Sequence, residues 1–455
     1  MPKKTKIIYI CSNCGAEFPK WMGQCPQCGE WNTLEEKISA PESMLQKRTS
    51  KAGKSTFHLI NTGEDARRFA TGIPELDRVL GGGFLEGSIV LLGGDPGIGK
   101  STLALQLLNE LVKKHRFQAV YFSGEESIRQ LALRARRLNI DNDRFMLSND
   151  VELNAILNGL AEQKPRFVIF DSIQTLYTRD AEALPGSITQ IRECASSLMS
   201  FGKQFNITII LIGHITKSGG IAGPKMLEHL VDTVLYMEGD QNNFFRILRS
   251  VKNRFGSTNE VGIFEMKSSG LESVGNPSDI FLSERRDGAS GSVVACGLES
   301  TRPLLVEVQA LTAKATFGTP QRNANGIDNR RLSMLLAVAE RQLGLPAGMH
   351  DVFVNVVGGL KFPEPAMDLP VLIAIVSSLK NVTVPYKAVF MGEVGLTGEI
   401  RSVSHVARRV TEAERMGFEE IYLPRASQKA LKDVNPSLHL SYVRDIQSLT
   451  GRLFG

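Results

Sequence analysis

The segment that decides the fold reads Gly94-Asp95-Pro96-Gly97-Ile98-Gly99-Lys100-Ser101. It fits the pattern GxxxxGK(S/T) in full, and it lies between an apolar run at residues 89–92 and a helix-length stretch that begins at Ser101. That is the strand–loop–helix context that a phosphate-binding loop requires. Glycines let the backbone N–H groups point at phosphates, and the helix N-terminus adds positive potential. The segment therefore predicts a nucleoside triphosphate site in which Lys100 reaches the β- and γ-phosphates and Ser101 binds Mg²⁺.

Short apolar runs alternate with stretches of helical length on both sides of this loop. The runs are rich in Ile, Val and Phe and occupy residues 89–92, 120–122, 167–170, 207–212 and 231–237. Runs that are apolar at consecutive positions are typical of parallel strands buried on both faces. The alternation predicts an α/β sheet covered by helices.

Carboxylates follow two of these predicted strands. Asp171 comes directly after residues 167–170, and Glu125 and Glu126 follow the run at 120–122. Ligands of such sheets bind at the edge where the parallel strands end. We expect Asp171 to lie near Mg²⁺ and one of the two glutamates to orient the attacking water. The sequence leaves open which glutamate it is.

Composition limits the class of protein. The chain has 455 residues, is 42% hydrophobic and 22% charged, and carries a net charge of +5, which is ordinary for several globular domains with a slight preference for anionic partners. The longest apolar stretch, residues 369–379, is far shorter than the roughly 18–20 residues of a membrane-spanning helix. The apolar run near the N-terminus is too short for a signal peptide. We therefore expect a cytoplasmic protein with no membrane partner.

Paired cysteines mark the N-terminus. The four that share this spacing are Cys11, Cys14, Cys25 and Cys28. Two C-x-x-C pairs are typical of a Zn²⁺ ion held by four thiolates. Two disulfides are the alternative, which the lack of a signal peptide disfavours. The pattern predicts a zinc module whose small core is capped by Phe18, Trp21 and Trp31, and it leaves the role of the module open.

Changes in composition divide the chain into four predicted segments. The zinc module spans residues 1–31, a basic flexible linker 32–65, a nucleotide-binding domain 66–275, and a second α/β domain 276–455. In the last segment we predict strands at 304–308, 352–357 and 388–391 and helices at 330–343 and 406–416.

Two further motifs narrow the family. Residues 71–83 read TGIPELDRVLGGG, and with the phosphate-binding loop, Asp171 and the GEES turn at 124–127 they resemble the RecA/KaiC/DnaB group of ATPases. Residues 252–256 read KNRFG, by which the chain resembles the bacterial RadA/Sms DNA-repair proteins over essentially its whole length. The resemblance implies a RecA-like P-loop ATPase core, an N-terminal zinc module, and an inactive C-terminal domain similar to the protease domain of Lon. ATP, Mg²⁺ and Zn²⁺ are the implied cofactors.

The resemblance also implies roles for residues outside the loop. Thr102 joins the nucleotide-binding set, and His214 stands where related proteins have a γ-phosphate sensor, although a lone histidine is more often structural. Lys252 and Arg254 resemble basic residues that contact the nucleotide of a neighbouring subunit and stabilise its transition-state charge. A solvated basic turn is the alternative. The trans contact implies a homo-hexameric ring around DNA, with the recombinase RecA as a partner.

Two segments resemble the DNA-binding loops of RecA. Residues 216–225 are glycine-rich and carry Lys217 and Lys225, and residues 180–187 stand where the other loop would be. Neither segment contains an aromatic residue on which a base could stack, so we expect contacts to the DNA backbone.

The C-terminal segment resembles Lon without its catalytic groups. The position of the Lon nucleophile is Ala366 and that of its lysine is Ala407, and alanine can neither attack a carbonyl nor accept a proton. We expect a scaffold for ring assembly that contacts DNA through Lys361, Arg401, Arg408 and Arg409, with an ordinary solvated face as the alternative.

Three functions are compatible with these motifs. The favoured hypothesis is an ATP-dependent motor that binds single-stranded and branched DNA and promotes branch migration or unwinding in homologous recombination and repair. An ATP-dependent protease is disfavoured by Ala366 and Ala407. A KaiC-like signalling ATPase without a DNA substrate is the third.

Overall fold

The computed structural model describes residues 6–11, 16–31, 33–39, 67–140, 143–214, 227–239, 245–315 and 318–455. The chain divides into two compact units, Met1–Asp65 and Ala66–Gly455. Cys14, Lys217, Lys225 and the rest of the predicted loop at 216–225 lie outside the described residues, as does most of the predicted linker. Within the described ranges, no helix is both long and apolar enough to cross a bilayer.

A three-stranded antiparallel sheet forms the first unit. Its strands are β1 (Lys6–Cys11), β2 (Glu17–Phe18) and β3 (Leu34–Ser39), with β1 in the centre. Phe18 packs on a small core of Cys11, Cys25 and Leu34. Trp21 and Trp31, by contrast, are 56% and 67% exposed. The prediction that both tryptophans cap this core is therefore wrong, because cysteines and small apolar side chains already fill it.

The second unit begins with a ribbon, β4 (Arg68–Phe69) and β5 (Phe84–Leu85), and continues into a nine-stranded sheet. The sheet contains β6 (Ile89–Gly94), β7 (Ala119–Ser123), β8 (Phe145–Ser148), β9 (Phe167–Asp171), β10 (Thr208–His214), β11 (Thr233–Gly239), β12 (Phe245–Asn253), β13 (Val261–Lys267) and β14 (Gly270–Ser273). Their order is β14-β13-β12-β11-β6-β10-β9-β7-β8. Strands β6 to β11 pair in parallel, which confirms the predicted α/β class, and β12 to β14 extend the sheet in antiparallel fashion.

Helices cover both faces of this sheet. They are α1 (Pro74–Leu80), α2 (Lys100–His115), α3 (Ile128–Arg137), α4 (Leu153–Gln163) and α5 (Ile188–Phe205). Successive residues of the central strand enter different cores: Val90 and Leu92 belong to one, and Ile89 and Leu91 to the other. Burial on both faces explains why the sequence of these strands is apolar without alternation.

A seven-stranded sheet follows, in the order β17-β18-β16-β15-β19-β22-β23. Its strands, with a separate ribbon of β20 and β21, are β15 (Ser292–Glu299), β16 (Arg302–Lys314), β17 (Arg322–Asn325), β18 (His350–Val356), β19 (Ala388–Phe390), β20 (Glu393–Val394), β21 (Ile400–Arg401), β22 (Glu420–Pro424) and β23 (His439–Val443). The helices are α6 (Pro277–Leu282), α7 (Asn329–Leu343), α8 (Asp368–Lys380), α9 (Val406–Arg415) and α10 (Ile446–Phe454). The strands and helices predicted here agree with these bounds to within a few residues, except that β16 is much longer than predicted.

The turn between β15 and β16 joins the two sheets. Arg302 donates to the Glu75 carboxylate on α1, and both side chains are buried. The Thr301 hydroxyl donates to the carbonyl of Asn259 at 2.9 Å. Residues 66–455 thus form one compact unit, and the division at residue 275 stays a prediction.

Candidate active site

The phosphate-binding loop connects β6 to α2 as expected. Gly94 and Gly99 have φ values of 150° and 114°, which favour glycine. A Cβ at Gly94 would lie 2.4 Å from the carbonyl oxygen of Met237, and one at Gly99 would lie 2.7 Å from Cε of Met266. Glycine is therefore required at Gly94 by the backbone of β11 and at Gly99 by the left-handed φ.

Lys100 is held inside this loop. Its Nζ donates to the carbonyl oxygens of Gly94 and Asp95, each at 2.9 Å. Burial lowers the pKa of Lys100, and the negative charges of Asp171, Asp95 and Glu125 oppose that shift. The ammonium group thus lies among the backbone groups that would surround a bound phosphate.

Asp171 lies at the end of β9 and keeps one oxygen available. The Tyr121 hydroxyl donates to its Oδ2 at 2.5 Å. Burial, together with the charge of Asp171 and this hydrogen bond, raises the pKa of Tyr121 well above its usual value, and Ser101 bonds to the same hydroxyl. Asp171 Oδ1 is buried and has no hydrogen-bond partner among the described residues. Because such an oxygen is costly unless a ligand binds it, and Mg²⁺ prefers oxygen ligands, Asp171 and Ser101 fit a Mg²⁺ ion.

The two candidate glutamates differ in their partners. Glu125 is exposed and accepts a hydrogen bond from Ser172, the residue after Asp171, at 2.8 Å. Glu126 turns to α3, where its Oε1 lies 2.6 Å from Arg134. Glu125 is therefore placed beside Asp171 and near enough to Lys100 to act on its pKa, whereas Glu126 is held by an ion pair.

His214 ends β10 and pairs in register with Gly94 of β6. The backbone therefore places it at the edge of the sheet where the phosphate-binding loop begins. Its side chain lies outside what the structure describes, so its role as a γ-phosphate sensor stays a prediction.

Lys252 and Arg254 lie away from the phosphate-binding loop of their own chain. Lys252 pairs with Val234 of β11, and Val234 pairs with Leu91 of β6. Leu91 lies three residues before Gly94, which places Lys252 about 10 Å along the sheet from the start of the loop. The Lys252 Nζ donates to the carbonyls of Glu228 at 2.7 Å and Val231 at 2.8 Å. Burial and the charge of Arg254 lower the pKa of Lys252.

Arg254 is more accessible than Lys252. Its side chain is 52% exposed and lies 3.7 Å from Asp232. The structure thus separates both cations from the nucleotide site in the same chain, which is the arrangement that a contact in trans needs.

Residues 180–187 form a turn before α5 that the buried side chains of Gln190 and Thr178 hold through hydrogen bonds. The Gln190 amide donates to the carbonyls of Thr178, Ala181 and Ala183 at 2.9–3.0 Å. The turn carries Asp180 and Glu182, which repel phosphate groups. Its role as a DNA-binding loop stays a prediction.

Three of the four predicted zinc ligands lie together. The sulfur atoms of Cys11, Cys25 and Cys28 lie within 4.8 Å of one another, and Cys11 and Cys25 are buried. Clustered thiols of this kind fit Zn²⁺. Cys14, the fourth predicted ligand, lies outside the described residues.

In the C-terminal part of the chain, the position that resembles the Lon nucleophile lies close in sequence to a residue that pairs with a buried arginine. Ala366 is 1% exposed. Near it in sequence, Glu364 accepts from Arg409 at 2.5 Å, and Arg409 is fully buried and also donates to the carbonyls of Ser404 and Cys296. The prediction that Arg409 contacts DNA is therefore wrong, because its charge is enclosed and paired. Lys361, Arg401 and Arg408 are exposed, and their contact with DNA stays a prediction.

Sequence reasoning missed several residues of the site. Tyr121 is a buried strand residue that binds Asp171, Ser172 orients Glu125, and Arg246 donates to the carbonyl of Ile98 in the phosphate-binding loop at 2.9 Å. Only the polar character of Tyr121 and Arg246 within otherwise apolar strands could have indicated them.

Comparison with known proteins supports this architecture. The AAA domain family matches residues 54–220, the rubredoxin metal binding domain family residues 9–36, and the family of subunit ChlI of Mg-chelatase residues 309–427. The last match lies within the predicted Lon-like domain.

Three relatives that match over nearly the whole chain are each described as the DNA repair protein RadA. The chain is 47% identical to the DNA repair protein RadA of Bacillus subtilis over 435 residues, 93% of each chain. It is 46% identical to that of Listeria monocytogenes, over 95% of each chain, and 44% identical to that of Pseudomonas aeruginosa, over 99% of each chain. A KaiC-like protein from Pyrococcus horikoshii aligns over 46% of this chain and 100% of its own at 22% identity, but its TM-score of 0.40 is too low to carry an argument.

Proposed function

The chain belongs to the RadA family of DNA repair proteins, and from that membership we propose an ATP-dependent motor that acts on single-stranded and branched DNA. It would promote branch migration or unwinding of recombination intermediates in the cytoplasm. One observation carries the enzymatic half of the proposal. A single edge of the nine-stranded sheet bears the phosphate-binding loop, the carboxylate Asp171 with its unpartnered oxygen, and Glu125.

The proposed mechanism follows from the contacts at this edge. The loop from Gly94 to Gly99 and the N-terminus of α2 would bind the phosphates through backbone N–H groups. Lys100 would exchange its two carbonyl partners for phosphate oxygens, to which it is more strongly attracted by charge. Asp171 and Ser101 would hold Mg²⁺, which supplies neutralisation of phosphate charge. Glu125 would orient the attacking water and accept its proton.

Subunits would share this site. Lys252 lies about 10 Å along the sheet from Gly94 and its Nζ is bonded to backbone carbonyls, while Arg254 is half exposed and lies beside Asp232. We infer that they contact the nucleotide of a neighbour in a homo-hexameric ring, with His214 sensing the γ-phosphate. A recombinase such as RecA is the proposed partner on DNA, and Zn²⁺ bound by Cys11, Cys14, Cys25 and Cys28 would stabilise the N-terminal module.

The decisive experiment mixes two inactive variants. Lys100→Ala removes the nucleotide site but keeps Arg254, whereas Arg254→Ala keeps the nucleotide site. If Arg254 acts in trans, mixed rings recover DNA-stimulated ATP hydrolysis that neither variant shows alone. Arg137→Ala, at an exposed arginine that ends α3, is the matched control and should keep the wild-type rate.

Other outcomes would contradict parts of the proposal. No recovery in the mixture, with mixed rings demonstrated by cross-linking, would exclude the trans contact. Wild-type hydrolysis that does not respond to single-stranded DNA would favour a signalling ATPase. The buried alanine at the position of the nucleophile, Ala366, speaks against a protease.

A further inference from the structure

A cavity of about 850 Å³ separates the phosphate-binding loop from the C-terminal sheet. One wall is the loop itself, from Asp95 to Ile98, and the second is the hairpin strands β11 and β12. The third wall comes from the C-terminal part of the chain, through Glu299 at the end of β15 and the segment Gly359 to Lys361. The C-terminal part therefore lies within reach of whatever extends from the loop into this space.

The order of the strands orients the nucleotide. Glu125 and Asp171 follow β7 and β9, which lie on one side of β6, whereas the cavity lies on the other side, at β11 and β12. The γ-phosphate must point toward the carboxylates, because the metal and the attacking water are needed there. The α-phosphate and the nucleoside attached to it then point toward β11, β12 and the cavity.

The charges around the cavity suit a neutral group better than a polyanion. Its charged lining residues are three acidic and three basic: Asp95, Glu238, Glu299, Arg246, Arg249 and Lys361. A surface that binds nucleic acid phosphates would show an excess of basic residues. A balanced lining matches a purine and a ribose, which carry no charge but many hydrogen-bonding groups.

Arg249 supplies a fixed planar surface in this lining. Its guanidinium is bonded to Glu238 at 3.0 Å and to Glu299 of the C-terminal sheet. A guanidinium held in this way can stack on an aromatic ring, and the carboxylates beside it can accept hydrogen bonds from an amine or from ribose hydroxyls. Leu360 is buried behind this surface and Lys361 is exposed at its rim.

We propose that this cavity holds the base and ribose of the bound nucleoside triphosphate, and that the C-terminal domain forms one wall of that subsite through Glu299, Leu360 and Lys361. The inference rests on the proposed ATPase function. The domain that resembles an inactive protease would then take part in nucleotide recognition. Release of the nucleotide would remove a contact between the two sheets.

The test compares two ligands that share phosphates and differ in the nucleoside. Binding of Mg²⁺–ATP and of Mg²⁺–tripolyphosphate is measured by calorimetry on the full chain, for wild type, Lys361→Glu and Arg249→Ala. We expect Arg249→Ala to weaken ATP about tenfold, a loss typical of a desolvated stacking contact, and to leave tripolyphosphate within about twofold. The charge reversal Lys361→Glu should weaken ATP more than it weakens tripolyphosphate. Lys429→Ala, at an exposed lysine of the same domain away from the cavity, is the matched control and should bind both ligands as wild type does.

The outcomes separate this inference from the proposed function. Unchanged ATP affinity in both variants, or equal losses for the two ligands, would overturn the nucleoside subsite while leaving the ATPase intact. Equal ATP binding by wild type and Lys100→Ala would overturn the proposed ATPase function, and the subsite with it.

Discussion

The two sheets of the second unit both contain buried ionisable side chains, and they differ in whether those side chains are paired. In the part of the chain that holds the nine-stranded sheet, one carboxylate oxygen each of Asp171, Glu126 and Glu152 is buried without a partner among the described residues. In the described part of residues 276–455, no buried side-chain nitrogen or oxygen lacks a partner. There, Arg409 is bonded to Glu364, and Asp368 is bonded to Arg331 and to the backbone N–H of Val394.

The difference teaches which buried groups are candidates for binding a ligand. A buried polar atom without a partner costs free energy, so such an atom beside a phosphate-binding loop is a candidate ligand contact. The unpartnered oxygen of Asp171 lies close enough to Lys100 of the phosphate-binding loop to act on its pKa, whereas Arg409 has all its bonded groups within the C-terminal part of the chain.

The largest expected effect is a loss of stability when Arg409, the partner of Glu364, is replaced. Arg409→Met should lower the free energy of unfolding by about 3–5 kcal/mol, because it removes the fully buried donor that bonds Glu364 and the carbonyls of Ser404 and Cys296. The midpoint of urea unfolding measures it. Arg408→Met is the control, since this neighbour is exposed and makes one bond of 3.3 Å to the Thr301 carbonyl. Equal midpoints for the two variants would show that the buried pair is not what stabilises this sheet.

At Asp171, we expect a loss of ATP hydrolysis without a loss of stability. Asp171→Asn should slow ATP hydrolysis by about 10²–10³-fold, which corresponds to about 3–4 kcal/mol, because an amide is a poor Mg²⁺ ligand. Stability should stay the same or rise, since a buried charge is removed. Steady-state hydrolysis and urea unfolding measure the two effects. Asp368→Asn, in the C-terminal sheet, should lower the free energy of unfolding and leave ATP hydrolysis unchanged. A loss of stability in Asp171→Asn would contradict the difference between the two sheets.

Glu125 and Glu126 allow a similar comparison of two carboxylates with different partners within the candidate site. Glu125→Gln should lower ATP turnover about 10²-fold, since an amide cannot accept the proton of the water. Glu126→Gln should lower it by less than about fivefold, because Glu126 is engaged with Arg134. Single-turnover hydrolysis at saturating ATP separates this effect from binding. The reverse ranking would assign the base to Glu126.

The smallest effect on hydrolysis is expected from the zinc module. Cys25→Ser should release zinc, as a colorimetric chelator would detect, because thiolates are the expected ligands. DNA-independent ATP hydrolysis should change by less than about twofold, or about 0.4 kcal/mol, because the module belongs to a separate compact unit. Metal-free wild-type protein would exclude the zinc site, and a large loss of hydrolysis would show that the units are coupled.

Local features of the sequence predicted much of the fold. The apolar strands around Gly94 to Ser101 and the parallel sheet they form are confirmed, as is the membership in the RadA family that the KNRFG segment indicated. The antiparallel strands β12 to β14 escaped prediction, because their polar residues interrupt the apolar pattern. The prediction that Trp21 and Trp31 cap the core of the first unit is wrong, because more than half of each side chain is exposed.

The sequence by itself determined the position of the phosphate-binding loop, the α/β class and the spacing of the cysteines. Each of these depends on residues that are neighbours in the chain, where spacing alone fixes geometry. Only the tertiary structure decided that Glu125 rather than Glu126 lies beside Asp171, that Arg409 is buried, and that a cavity lies between the loop and the C-terminal sheet. These features depend on contacts between residues far apart in the chain and on which groups lose their water when the sheets pack together.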